Sequence, residues 1–368
     1  QKRRKLVSPS PSQCDFKLQA AFLFSMLINR ILPRFHRHFN TYQNLFRRSL
    51  TSSTRHIEIY QVDAFTSDAF RGNPASVAVL PSGVNVTRQW MSHVAAEMNS
   101  SETAFIQRVE SESDDSNTEI WSIRWIEPDA QEISLCAHAA LASAHVLWEH
   151  DLVDTKDSIT FKPLSHSLLH ATRKTNKNGN PVVEMQFPAD IIIPLFGQDS
   201  DTLSNIYDAL GLQPEDVIFT GKNRLDYAIE VKSQEKVADL KPSAIALSSA
   251  IDHRGVMVTA KADDDKDYQF VSRFFAPNVD RPEDPVTGTS HCGLGPYWTQ
   301  KLHPDYVHES DENPDGGPWV CGYQASNRGG HVYVKWIGDN VLLAGESVTI
   351  FKAILDPPVE EHVMNPAL

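Results

Sequence analysis

The feature that most constrains this chain is a pair of segments that are small and apolar on nearly every side. Residues 136–148 read CAHAALASAHVLW and residues 289–298 read TSHCGLGPYW. A surface helix needs a polar face, so a helix that is apolar all round is stable only when other elements enclose it. The first segment is therefore expected to be a central helix surrounded by strands, and the second to be its counterpart.

The flanking sequence supplies those strands. Ile57–Val62 and Ala75–Leu80 bracket a loop with Arg71-Gly72-Asn73-Pro74. Trp121, Ile123 and Trp125 share one face of a further strand, and Ser158–Phe161, Ser167–Thr172 and Val182–Phe187 follow the same pattern. Between them, Thr87 can cap a helix whose Trp90, Met91, Val94, Ala95 and Met98 recur at the spacing of one buried face, ending near Asn99. Glu102 then sits at a helix-to-strand corner.

After Pro188 the plan repeats. Strands are expected at Val217–Thr220, Tyr227–Val231, Gly255–Thr259, Tyr268–Phe275, Val332–Trp336 and Ser347–Phe351, with helical patches near Leu203–Leu210 and Gln234–Leu240. A turn, Asp284-Pro285-Val286-Thr287-Gly288, opens the second apolar segment, and the polar stretch His303–Pro318 reads as a surface excursion. The pattern suggests a tandem duplication of one β-rich unit. We place a first domain at 56–188, a second at 189–355, and a short tail at 356–368.

Residues 1–55 stand apart. They hold eleven basic residues and Asp15 as their one acid, against a formal charge of -13 for the whole chain. Met26–Arg55 is rich in Arg and Ser, with Leu27, Ile28, Ile31, Leu32 and Phe35 at roughly helical spacing. This composition suits a mitochondrial transit peptide; an unstructured tail on a cytoplasmic protein is the alternative, and a secretory signal lacks a small-residue cleavage site. The apolar stretch Leu18–Ile28 is shorter than the ~20 residues of a membrane span. The acidic remainder argues against nucleic acid as a partner. Four scattered cysteines without a CxxC pair indicate neither a disulfide framework nor a zinc site. No GxGxxG or P-loop pattern points to a nucleotide cofactor. No metal is expected.

A helix N-terminus presents unpaired N–H groups and partial positive charge, and binds anions when small residues allow close approach. Ala137-His138 opens the first buried helix and Gly288-Thr289-Ser290 the second, so two facing halves would aim two positive ends into one cleft. The same small residues also serve plain packing and capping. Taken alone, Glu102 reads more readily as a solvated acid than as a cleft acid, Asp284 as turn chemistry, and His138 as a satisfied core histidine.

The order of motifs resolves these alternatives. Asp63-Ala64-Phe65, Gly72-Asn73-Pro74-Ala75, Ser101-Glu102-Thr103-Ala104-Phe105, Leu135-Cys136-Ala137-His138-Ala139, Ser272-Arg273-Phe274-Phe275-Ala276-Pro277, Glu283-Asp284-Pro285-Val286-Thr287-Gly288 and Gln324-Ala325-Ser326-Asn327-Arg328-Gly329-Gly330 occur in sequence. Together they resemble the phenazine-biosynthesis-like isomerase family over about residues 57–355. The resemblance implies an α+β fold of the diaminopimelate epimerase type: two similar domains, each a mixed β-barrel wrapped around a central helix, with the active site between them. It also implies a homodimer and a small-molecule carboxylate substrate.

Carried across the motifs, the family's catalytic glutamate falls on Glu102, its histidine on His138, its aspartate on Asp284 and its final hydroxyl on Thr289. Asn73, Ala137, Gly288, Thr289 and Ser290 become substrate-binding positions. The implied activity is cofactor-independent proton transfer between carbons, for which the Glu102 carboxyl must both accept and release a proton near neutrality. The family's usual Gly before the histidine is Ala137 here, and its usual Ser after Thr-Gly is Thr289. An amino-acid racemase or epimerase, and a catalytically idle interaction protein of the same fold, are the competing readings. Two-thiol racemisation is disfavoured because neither Cys136 nor Cys292 falls at the expected base position.

Overall fold

Why the two apolar helices are stable is evident from what surrounds them. The computed structural model of the protein describes residues 56–109, 119–153, 157–165, 167–176, 178–195, 200–279, 281–306 and 315–356. The basic segment 1–55, the acidic loop from Glu110, the middle of the His303–Pro318 excursion and nearly all of the C-terminal tail lie outside the described residues.

The first half runs β1 (Ile57–Ala64), β2 (Asn73–Leu80), α1 (Arg88–Met98), β3 (Glu102–Arg108), β4 (Ile120–Ile126), β5 (Glu132–Ile133), α2 (Ala137–Glu149), β6 (Ser158–Pro163), β7 (Leu169–Thr175) and β8 (Pro181–Pro188). A linking strand β9 (Ile193–Pro194) and helix α3 (Ser200–Leu210) follow. The second half runs β10 (Val217–Lys222), β11 (Asp226–Val231), α4 (Gln234–Ala238), α5 (Ala244–Ala250), β12 (Gly255–Lys261), β13 (Phe270–Ala276), β14 (Arg281–Asp284), α6 (Gly288–Leu302), β15 (Trp319–Gln324), β16 (Gly330–Ile337) and β17 (Asn340–Gly345). The last strand among the described residues is β18 (Ser347–Leu355).

The pairing scheme of the halves is the same, strand for strand. β1 and β2 are antiparallel, β2 and β3 parallel, β3 and β4 antiparallel, and β4 and β6 parallel across α2. In the second half β10 and β11 are antiparallel, β11 and β12 parallel, β12 and β13 antiparallel, and β13 and β15 parallel across α6. The repeat hinted at by the sequence is thus written in the hydrogen-bond ladders. β8 pairs with β17, so the strand order is continuous across the halves. β18 returns to pair antiparallel with β1 and places Leu355 opposite Ile57.

Helix α2 packs against β1, β2, β3, β8 and β18, and α6 against β15, β16 and β17. Leu141, Val146 and Leu147 are fully or almost fully buried, as is Leu294 in α6; each such side chain contributes about 1.5–3 kcal/mol of burial. Gly295 lets α6 lie on β16, because a Cβ there would stand 2.3 Å from Val334 Cγ1. Helix α1 forms as its pattern requires: Thr87 accepts from Trp90 N at 3.2 Å, and Asn99 takes the left-handed conformation that ends it.

Some elements escape the sequence reading. β15 and β17 are not anticipated, nor is α5. β15 carries Gly322, whose lack of a side chain is needed because Phe270 packs where a Cβ would lie, 2.3 Å from it. A glycine in a short run weakens a strand signal, and here it is the fit to Phe270 that determines the strand. Among the described residues, no helix is long and apolar enough to cross a membrane.

Candidate active site

The loops that place the site are locked to one another by contacts of their own. Gly72 has φ +63°, and a Cβ there would strike the Ala64 carbonyl oxygen at 2.1 Å. Its N–H donates to the Gly329 carbonyl at 2.7 Å, while Arg328 donates from Nε to the Gly72 carbonyl at 2.9 Å and from Nη2 to Asp63 Oδ1 at 2.6 Å. The Asp63, Gly72 and Arg328 motifs, distant in sequence, therefore build one joint beside the cleft.

From that joint Asn73 reaches inward. It is fully buried, and its Nδ2 donates to the Val286 carbonyl at 2.7 Å and to Asp284 Oδ1 at 3.0 Å. Ser101 Oγ donates to its Oδ1 at 3.0 Å, and its Nδ2 comes within 3.4 Å of His138 Nδ1. One side chain thus ties together the segments that carry Glu102, His138 and Asp284. Asp284 is held further by the Thr287 hydroxyl, which donates to Oδ2, and Gln324 Nε2 donates to the Asp284 backbone carbonyl at 2.7 Å.

Glu102 is the first residue of β3 and is 4% exposed; His138 is the second residue of α2 and is 5% exposed. His138 Nε2 lies 2.8 Å from Glu102 Oε2, and its Nδ1 lies 3.4 Å from Cys136 Sγ. Burial works against charge on His138, yet the adjoining Cys136 and Glu102 outweigh it and hold the imidazole well above its ordinary range. Of these neighbours the carboxylate carries the effect. The Cys136 thiol is itself pushed up by burial and by Glu102, and stays protonated.

These residues line a cavity of about 370 Å³. Glu102, His138 and Ala137 form one wall and Asp284, Gly288 and Thr289 the other. The helix ends meet there: a Cβ on Gly288 would stand 2.5 Å from the Ala137 Cβ. Neither helix has a side-chain cap, since Cys136 and Thr287 at the N-cap positions make no capping hydrogen bond. The first turn of each helix carries the partial positive charge that attracts an anion.

Two sequence-derived site residues do not face this space. Asn73 stands behind the wall as the tie described above. Ser290, 1% exposed, turns its hydroxyl back onto the Thr287 carbonyl at 2.8 Å. Conversely, Arg254, Arg224 and Glu127 line the cavity without having been singled out, and Cys136 and Cys292, set aside as bases, line it as well. Arg254 has a signal in hindsight: it immediately precedes the strand, β12, that repeats the position of β3. Glu102, Cys136 and His138 also bring three donor atoms within 4.8 Å of one another, a spacing a divalent cation could use.

Two β-rich halves of matching topology, each enclosing a helix, with a carboxyl–imidazole pair where the helix ends converge, define an α+β protein of the diaminopimelate epimerase-like fold. A family model described as phenazine biosynthesis-like protein matches residues 62–353, and the chain belongs to that family. An uncharacterized isomerase of Halalkalibacterium halodurans is 40% identical over 297 residues, 81% of this chain and 97% of its own length. Phenazine biosynthesis-like domain-containing protein 2 of Mus musculus is 32% identical over 311 residues, 81% and 99% of the two chains. The crystal structure of a phenazine biosynthesis protein of the PhzF family from Enterococcus faecalis superposes with a TM-score of 0.66 at 30% identity, covering 82% of this chain and 99% of that one.

Proposed function

We propose that this protein is an isomerase that moves a proton between carbons of a small carboxylate-bearing metabolite, using its own side chains and no metal or cofactor. The observation that carries the reading is the Glu102–His138 pair, buried at 2.8 Å on the wall of a cavity that also presents Asp284 and two uncapped helix ends. The relatives named as isomerases support it.

In this reading the backbone N–H groups at Ala137 and Gly288 hold the substrate carboxylate, and stabilise the charge that spreads onto it when a neighbouring carbon loses its proton. Glu102 takes that proton and returns it at another carbon. His138, charged and hydrogen-bonded to Glu102, orients the carboxyl, and Asp284, fixed by Asn73 and Thr287, orients the substrate. Racemisation through paired thiolates is disfavoured on chemistry as well as position: burial pushes the Cys292 thiol up to about 12, leaving it protonated at neutral pH.

The test is proton exchange with solvent. The protein is incubated with a panel of amino and hydroxy acids in deuterated water, and carbon-bound deuterium is read by NMR. Exchange on one compound, abolished by Glu102→Gln, is the expected result; exchange that persists undiminished in that variant removes Glu102 from the mechanism. A double bond that moves separates isomerisation from simple inversion of a stereocentre.

A further inference from the structure

The matching ladders of the two halves allow their corners to be compared residue by residue. In the first half, β2 and β3 run parallel with Ala75 opposite Glu102, the first residue of β3. In the second, β11 and β12 run parallel with Asp226 opposite Gly255, the first residue of β12. The residue just before Gly255 is Arg254. The corner that bears the acid/base on one wall of the cavity thus bears a guanidinium on the other.

Arg254 is held on several sides. Its Nε donates to Asp226 Oδ1 at 2.9 Å and its Nη2 to Oδ2 at 2.5 Å, its Nη1 donates to Thr289 Oγ1 at 3.1 Å, and its guanidinium lies 5.0 Å from the centre of the Phe274 ring. Asp226 is only 1% exposed in its side chain, whereas Arg254 keeps 26% and lines the cavity. Burying a carboxylate is costly, and a buried pair seldom adds stability over apolar packing. Its effect here is to fix the fork in place. A guanidinium has five N–H groups; the contacts above use three, which leaves one on each Nη. Arg224 lines the same cavity, as does Asp190, which accepts from the Arg224 backbone N–H at 3.2 Å.

We propose that the substrate carries a second acidic group, and that Arg254 binds it through these two remaining donors. The inference rests on the preceding reading, in which the first carboxylate lies at the helix ends. Thr289, which Arg254 holds, is one residue inside α6, so the guanidinium stands along the flank of that helix rather than at its tip. Two carboxyl groups can then be held at once, with the reacting carbons between them and facing Glu102. Asp284 would repel a dianion, and the Arg254 guanidinium offsets that repulsion.

Calorimetric titration of the full chain tests this without turnover. Succinate through pimelate are the probes, each against the straight-chain monocarboxylic acid of equal length. At least one diacid is expected to bind about 10- to 100-fold tighter than its monoacid, the range of a charge-assisted bidentate contact. Arg254→Met combined with Asp226→Asn, which removes the carboxylate otherwise stranded, should bring that ratio close to unity. Should that double variant fail to fold by near-ultraviolet circular dichroism, Arg254→Lys, which keeps the charge but not the fork, is expected to reduce the ratio. An unaltered ratio in a folded variant, or no diacid preferred over its monoacid, overturns the proposal. Diacid preference without any deuterium exchange would sink the isomerase reading alone, and exchange without diacid preference would sink this one alone.

Discussion

Ala137 and Gly288, the first residues of the two buried helices, approach so closely that Gly288 has no room for a methyl group: its Cβ would lie 2.5 Å from that of Ala137. The two positions are complementary. Gly288→Ala should destabilise the protein by about 1–3 kcal/mol through overpacking, and Ala137→Gly, added to it, should recover most of that loss. A double-mutant cycle in urea reads the coupling; strictly additive effects would mean that the helix ends do not touch.

For the proton-transfer step, Glu102→Gln keeps the shape and removes the base. Loss of about 10²- to 10⁴-fold in turnover is expected, the usual contribution of a general acid/base. Substrate affinity should change far less, since recognition lies with the helix ends. Parallel losses in turnover and affinity would assign Glu102 to binding instead.

His291, inside α6, is fully buried, and burial lowers its pKa to about 4 even though its Nδ1 donates to the Thr287 carbonyl at 2.8 Å. Its folded pKa is depressed below the unfolded value of about 6.5. The associated stability is therefore complete above pH 6.5 and is lost as pH falls toward 4, when the unfolded chain takes up the proton first. The full effect is about 3 kcal/mol. His291→Asn, which retains a donor to Thr287, should flatten that part of the pH–stability curve. Identical slopes in the two proteins would refute the assignment.

Asp63 is 3% exposed in its side chain, and Arg328 is its cationic partner at 2.6 Å. Arg328→Met should cost about 3 kcal/mol or more by stranding a buried carboxylate. Asp63→Asn in the same chain should restore part of it. Chemical denaturation of the three variants decides the matter, and an Arg328→Met protein as stable as its parent would show the pair to be idle.

The two buried helices were legible in the sequence because enclosure is the only environment their composition permits. The corner at Glu102 was legible from the end of α1 and the start of β3. Burial of Glu102 was not, since a lone glutamate reads the same in solvent or in a cleft; only the motif order pointed to it. Asn73 and Ser290 show the limit of carrying residues across a motif: both stand at the site, yet one works from behind the wall and the other turns its hydroxyl back onto the Thr287 carbonyl. Arg254 was missed for a physical reason. Its importance depends on Asp226, Thr289 and Phe274, and on a repeat that is preserved in hydrogen-bond ladders while the side chains have diverged.

The return of β18 to β1 has a consequence for synthesis. The strand that completes the edge of the first half is made only after the strands of the second half, long after its partner. A nascent first half must wait with the backbone of Ile57–Ala64 unsatisfied on that side, exposed to pairing with other chains, until Ser347–Leu355 has been made. Gene fusions or fragments cut between the halves will inherit that open edge.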